Sequence, residues 1–141
     1  MQYVCDAPPF TWFRMETAAE ATLESRAMDH AVDKYFRQSH EQAAKSYVPP
    51  RSTPVFEQSI GLKPHITRVM PLFLTLRDGE GNALVTAMLP PAGQDERTFR
   101  PIIVGFANND PYPEYGEAIR TLAAHFGFTL DPARCFPYRR G

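Results

Sequence analysis

Residues Thr17 to Tyr47 carry one helical pattern of 31 positions, and its length constrains everything around it. An α-helix that long spans about 46 Å. A compact chain of 141 residues has a radius of gyration near ~14 Å, hence a diameter of roughly 37 Å. Such a helix has to kink, overhang its globule, or lie against another subunit. Its start is marked by Thr17-Ala18-Ala19-Glu20, a Thr-x-x-Glu capping box in which hydroxyl and carboxylate each satisfy an orphan backbone donor. With successive residues about 100° apart, Ala18, Ala21, Ser25, Met28, Val32, Tyr35, Phe36, Ser39, Ala43 and Tyr47 share one face. Arg26, His30, Lys34, Arg37, Glu41 and Lys45 lie opposite. The acid-first pairs Asp33–Arg37 and Glu41–Lys45 add ~0.2–0.5 kcal/mol each.

Leu23, Ala27 and Ala31 form a second, narrower apolar strip on the charged side of this pattern. Together with the length mismatch, the strip points to an interface, most simply that of a two-fold homodimer.

Proline punctuates the chain. Fourteen prolines are about twice the usual share of ~5%. The pairs Pro8-Pro9, Pro49-Pro50 and Pro90-Pro91 forbid helix and remove strand donors, so each marks a connection. Residues 2–6 and 11–15 read as short strands around the first pair. Val55–Ile60 reads as a further strand and Gly61–Val69 as an irregular turn broken by Pro64. The clearest β signal is Leu72–Arg77 and Ala83–Leu89 flanking Asp78-Gly79-Glu80-Gly81-Asn82, a hairpin with turn residues at its tip. Both strands are apolar on both faces and should be covered on both. Ile102–Gly105 is another short strand. A second helix begins at Asp110-Pro111, with Asp110 as N-cap, and ends at Gly127 in the left-handed conformation, with Phe128 beside it. This order predicts a single α+β domain over residues 1–141: a mostly antiparallel twisted sheet of five to six strands, packed by one long N-terminal helix and a C-terminal helix.

The function classes that composition disfavours are clearer than the one it selects. A net charge of −1 lacks the basic excess of a nucleic-acid protein. No apolar run is long enough to span a membrane. The N-terminal residues do not read as a secretory signal, and two cysteines without a local partner fit a reducing, cytoplasmic compartment. No phosphate-cradling glycine loop or Gly-x-Ser-x-Gly turn occurs. The four histidines lack metal-ligand spacing, so neither metal nor cofactor is expected.

Four local constellations carry some chemistry. Arg26, His30, Asp33 and Arg37 place an imidazole one turn from a carboxylate, as a general base would need, though exposed ion-paired helix faces look the same. His65 and Arg68, with the loop Asn108-Asn109-Asp110-Pro111-Tyr112 at a strand-to-helix junction, are the residues from which a small-molecule site could be built. Cys135, beside Arg134, Arg139 and Arg140, could have a stabilised thiolate or simply pack next to Phe136. Arg51, Lys63, Arg68 and Arg77 give residues 51–77 a local positive charge without interleaved aromatics. No motif specifies a reaction. The chain therefore reads as a non-catalytic cytoplasmic protein that assembles as a homo-oligomer through Leu23, Ala27 and Ala31. The alternative is a small enzyme or small-molecule-binding domain using His65, Arg68, Asn108, Asn109, Asp110 and Tyr112.

Overall fold

The computed structural model describes residues 1–91 and 101–132. Strands β1 (Gln2–Ala7) and β2 (Phe10–Arg14) form an antiparallel hairpin around Pro8-Pro9, whose peptide bond is cis. Three helices follow, and β2 then pairs with β3 (Leu72–Arg77). The 78–82 turn leads to β4 (Ala83–Leu89), and β5 (Ile102–Val104) completes the sheet. All four pairings are antiparallel and the strand order is β1-β2-β3-β4-β5. The expected hairpin closes as its residues require: the Asp78 carboxylate accepts the Glu80 and Asn82 N–H groups at 2.9 Å, and Gly81 takes a positive φ.

The expected long helix is two helices. The first, α1 (Ala18–Met28), opens with the capping box at Thr17 and Glu20. It ends because Asp29 turns left-handed, with φ 51° and ψ 57°, a conformation that aspartate tolerates better than most residues. The N–H groups of Asp29 and His30 both close onto the Ser25 carbonyl. The chain then starts again as α2 (Val32–Lys45). Three donors at this new start find partners near the elbow. Ser25 Oγ accepts the Asp33 N–H at 3.0 Å, the His30 ring faces the Val32 N–H at 3.4 Å, and the Lys34 N–H reaches the Ala31 carbonyl at 3.1 Å. Broken in this way, both halves fold back against the same sheet, so the length argument for self-association no longer applies. The pairs Asp33–Arg37 and Glu41–Lys45 form as the spacing predicts, at 3.1 and 2.9 Å.

Two further expectations are corrected. Val55–Ile60 is no strand: Val55–Glu57 form one 3₁₀ turn. The segment read as an irregular turn is a helix, α3 (Leu62–Val69). Pro64 does not break it, because it sits in the first turn, where its missing N–H would have no partner within the helix. The last helix, α4 (Tyr112–Phe126), begins one step later than expected. Pro111 occupies the cap position, and the Asp110 carboxylate accepts the Tyr112 N–H at 3.0 Å. Gly127 ends it with φ 76°, and the Phe128 N–H closes onto the Ala123 carbonyl at 2.8 Å. Five strands are formed among the described residues.

The sheet is covered on both faces, as the apolar strands demand. On one face Trp12, Leu72, Leu74, Leu76, Val85, Ala87, Leu89 and Ile103 pack against Ala118, Ile119, Leu122 and Ala123 of α4. On the other, Met15 and Phe73 meet Ala21, Val32, Phe36, Ala43 and Ile66 from α1, α2 and α3. The Phe36 and Phe73 rings meet edge to face at 5.1 Å. Period-two alternation in β3 and β4 thus feeds two cores rather than one core and solvent. No helix among the described residues is long and apolar enough to cross a membrane.

Leu23 is 63% exposed, and Ala27 and Ala31 are exposed beside it. Leu23→Glu should therefore leave stability within about 0.5 kcal/mol of the wild type, as read by urea denaturation. A larger loss would mean that this side chain is buried in solution by something absent from the isolated chain.

Candidate functional site

The side of the sheet facing α1 carries a chain of buried polar groups. Glu24, on the same stripe of α1 as Ala21 and Met28, has no exposed surface. Its carboxylate receives Arg77 Nη2 at 2.7 Å from the end of β3 and the Thr86 hydroxyl at 2.6 Å from the middle of β4. Arg77 also donates to Thr75 Oγ1 and to the Gly81 carbonyl, both at 3.0 Å. Thr86 Oγ1 in turn lies 2.8 Å from His30 Nε2. A hydroxyl has one proton to give. Since Thr86 gives it to Glu24, the imidazole must supply the proton of the other bond. His30 is thus held as the Nε2–H tautomer, with Nδ1 as acceptor towards the Val32 N–H. Every buried side-chain polar atom among the described residues has a partner.

Burial holds the His30 imidazole below its ordinary range, against the opposing pull of Glu24, Asp33 and Asp29. An unfolded histidine titrates near ~6.5, so below that pH the unfolded chain binds a proton that the folded chain refuses. Stability from this group is present above the unfolded pKa and is lost as pH falls towards the depressed folded value. The urea midpoint should drop between about pH 7.5 and pH 5.5, a window above carboxylate titration. His30→Gln should flatten that part of the profile. An unchanged slope in the variant would remove His30 as its source.

The elbow between α1 and α2 roofs a cavity of about 310 Å³. His30, Ala31, Val32 and Tyr35 form the helical wall, Thr86 and Met88 of β4 the floor, and Ile102, Val104 and Asn108 the far side. The floor and far side are mainly apolar. The polar residues on its walls are His30, Thr86, Asn108 and Tyr35. At the rim, Ala107 and Asn108 are both left-handed, with φ of 54° and 60°. Asparagine accepts that conformation readily and alanine does not. The turn is tied by Gly105 N–H to Asn109 O at 2.7 Å and Asn109 N–H to Phe106 O at 3.0 Å. A side chain at Gly105 would crowd the Asn109 carbonyl, its Cβ only 3.3 Å away. Strain of this kind collects at functional loops. Ala107→Gly should stabilise the fold by about 0.5–1 kcal/mol in urea denaturation. A loss of stability would show that the alanine methyl packs usefully.

The residues expected to form a site are distributed over the molecule. His65 and Arg68 meet each other at 3.2 Å on α3, and His65 Nε2 also lies 2.8 Å from Ser46 Oγ, with the Tyr47 ring 5.3 Å away. Ser46 gives its proton to the Ala43 carbonyl at 2.8 Å, so His65 donates to it and joins the end of α2 to α3. Asn108 lines the elbow cavity, and Tyr112 lines a different one beside Pro8, Pro9 and Phe10. Asn109 and Asp110 serve the 105–109 turn and the start of α4. Among the described residues, neither His65 nor Arg68 lines the cavities that hold Asn108 and Tyr112. The His30–Asp33 pairing does not form, because Asp33 is taken by Ser25 at 2.9 Å and Arg37 at 3.1 Å. Of the residues expected at an oligomer interface, Ala31 lines the elbow cavity. Cys135, Phe136 and Arg134, Arg139 and Arg140 lie outside the described residues. Cys5 is a free, half-buried thiol whose pKa is pushed up by burial and by Asp6. Among the described residues no three His, Cys, Asp or Glu side chains converge as a metal site would require. No known protein family, curated protein or solved structure matches this chain.

Proposed function

We propose that this chain is a small-molecule-binding domain whose site is the elbow cavity between α1, α2, β4 and β5. One observation carries the reading: an apolar cavity whose polar end includes an imidazole oriented by a fully buried carboxylate through the Thr86 hydroxyl. Ligand sites commonly combine apolar walls with a few fixed polar groups, at volumes of about 300–1,000 Å³. A volume of about 310 Å³ suits a small, mostly apolar molecule with one or two hydrogen-bonding groups, such as a phenol or an indole.

Methyl NMR tests this with phenol and indole as probes. Saturable shifts are expected at Met88, Ile102 and Val104, and Val104→Trp, which fills the cavity from β5, should abolish them. Shifts that persist in that variant, or never saturate, remove the cavity as the site.

Self-association is the second reading, supported by the exposure of Leu23, Ala27 and Ala31. Sedimentation of the wild type beside Leu23→Glu separates the two. A mass that falls in the variant supports assembly through this strip; a wild-type monomer ends that reading and leaves the cavity untouched.

A further inference from the structure

A second, larger cavity of about 640 Å³ lies where the end of β2 meets α2 and α3. Its floor is apolar: Met15, Phe36, Leu62, Ile66 and Met70 all contribute. Two cations on its walls, Arg14 and Lys63, make no ion pair among the described residues. Arg14 is half-buried, and its Nη2 donates to the Thr67 carbonyl at 3.0 Å. That bond uses one of five guanidinium donors, and Arg14 makes no ion pair among the described residues. Lys63 lies one helical turn before Thr67 on the same face of α3, a spacing of about 5–6 Å between side-chain bases. It makes neither hydrogen bond nor ion pair among the described residues. The two carboxylates on this wall face the Met1 amine, and Glu16 also pulls on Arg14 from beyond ion-pair distance. Glu20 closes the capping box and pairs with the Met1 amine, and Glu16 lies 3.9 Å from that amine. His40, stacked on Phe36 at 6.4 Å, completes the polar rim.

From these observations we infer that this cavity binds an amphipathic organic carboxylate, its head held by Arg14 and Lys63 and its apolar body laid on Met15, Ile66 and Met70. A guanidinium fork matches a carboxylate with two parallel hydrogen bonds, while lysine adds a point charge. A half-buried cation is costly when left without a counter-charge. Burial lowers the Arg14 pKa, opposed by the pull of Glu16. This site shares no lining residue and no ligand chemistry with the elbow cavity, so the two proposals stand or fall separately.

Octanoate is the probe, with 1-octanol and inorganic phosphate as comparison arms, followed by titration calorimetry and methyl NMR. Saturable octanoate binding is expected, with shifts at Met15, Ile66 and Met70. Arg14→Met should weaken it about tenfold, equivalent to ~1.4 kcal/mol, and Lys63→Gln about threefold. Lys63 is exposed, so its variant keeps the test informative if Arg14→Met fails to fold. Three results overturn the inference: no saturation by about 10 mM, octanol binding as tightly as octanoate, or phosphate competing as well as octanoate. Octanoate shifts confined to Ile102 and Val104 would place the molecule in the elbow cavity and overturn it as well.

Discussion

Glu24→Ala should lose about 3–5 kcal/mol of folding stability, the largest effect expected of a single polar substitution among the described residues. The carboxylate is fully buried and is the common acceptor for Arg77 and Thr86. Removing it leaves a guanidinium with 18% side-chain exposure unneutralised, deprives a buried hydroxyl of its acceptor and opens a void under α1. Each of these costs stability in the same direction. Typical domains are stable by only about 5–15 kcal/mol, so the variant should be partly unfolded at ambient temperature. Glu24→Leu combined with Arg77→Met tests the cause. If an unbalanced charge dominates, removing both charges should recover stability relative to Glu24→Ala, because an apolar pair replaces a buried ion pair at little net cost. A single-variant loss below about 1 kcal/mol in urea denaturation would show that solvent reaches this carboxylate.

Trp12→Ala should cost a similar ~3–5 kcal/mol through a different route. The indole is fully buried between β2 and α4, and its Nε1–H donates to the Ala118 carbonyl at 2.8 Å. One side chain therefore ties the second strand to the last helix across 106 positions of sequence. Trp12→Phe keeps most of the apolar area and loses the hydrogen bond, so it should cost less, about 1–3 kcal/mol. The chain has one tryptophan, which makes the wild type its own reporter. Its emission should be blue-shifted when folded and move to the red in the unfolding transition seen by circular dichroism. Emission resembling that of the denatured chain under native conditions would contradict the packing of α4 on this face.

What could be read from the sequence follows from how far each element's determinants lie from it. The β3–β4 hairpin was legible because Asp78, Gly81 and Asn82 close the turn within five residues. The starts of α1 and the end of α4 were legible for the same reason, through Thr17 with Glu20 and through Gly127. The break at Asp29 was not, since the residue that caps the second half, Ser25, belongs to the first half and lies eight positions before the donor it serves. Period counting sees Ser25 only as one more position on the buried face. α3 was missed because a proline in a first turn looks like a proline in the middle of a helix until the boundary is known.

The candidate site divides the same way. His30 was visible as a polar residue on the charged face of the expected helix and Asn108 at a strand-to-helix junction, but the sequence neighbours paired with them were the wrong ones. The partners of His30 and Glu24 lie 56 and 62 positions away on β4, where they converge on a single hydroxyl. One signal was present and unused: Glu24 falls three residues after Ala21 and four before Met28, on the stripe that had to be buried. An acidic residue in that position predicts a buried cation or hydroxyl opposite it, and Arg77 and Thr86 supply both.

A ladder in which each strand pairs only with its chain neighbours has a consequence for how the molecule assembles itself. β1–β2 and β3–β4 each close over a short tether, whereas β2 and β3 must find each other across the whole of residues 15–71. Closing that span carries the largest entropic cost of these three pairings. The two hairpins should accordingly form early and their union late. Substitutions at Val85 should slow folding, while substitutions at Met15, which docks where the hairpins join, should mainly speed unfolding.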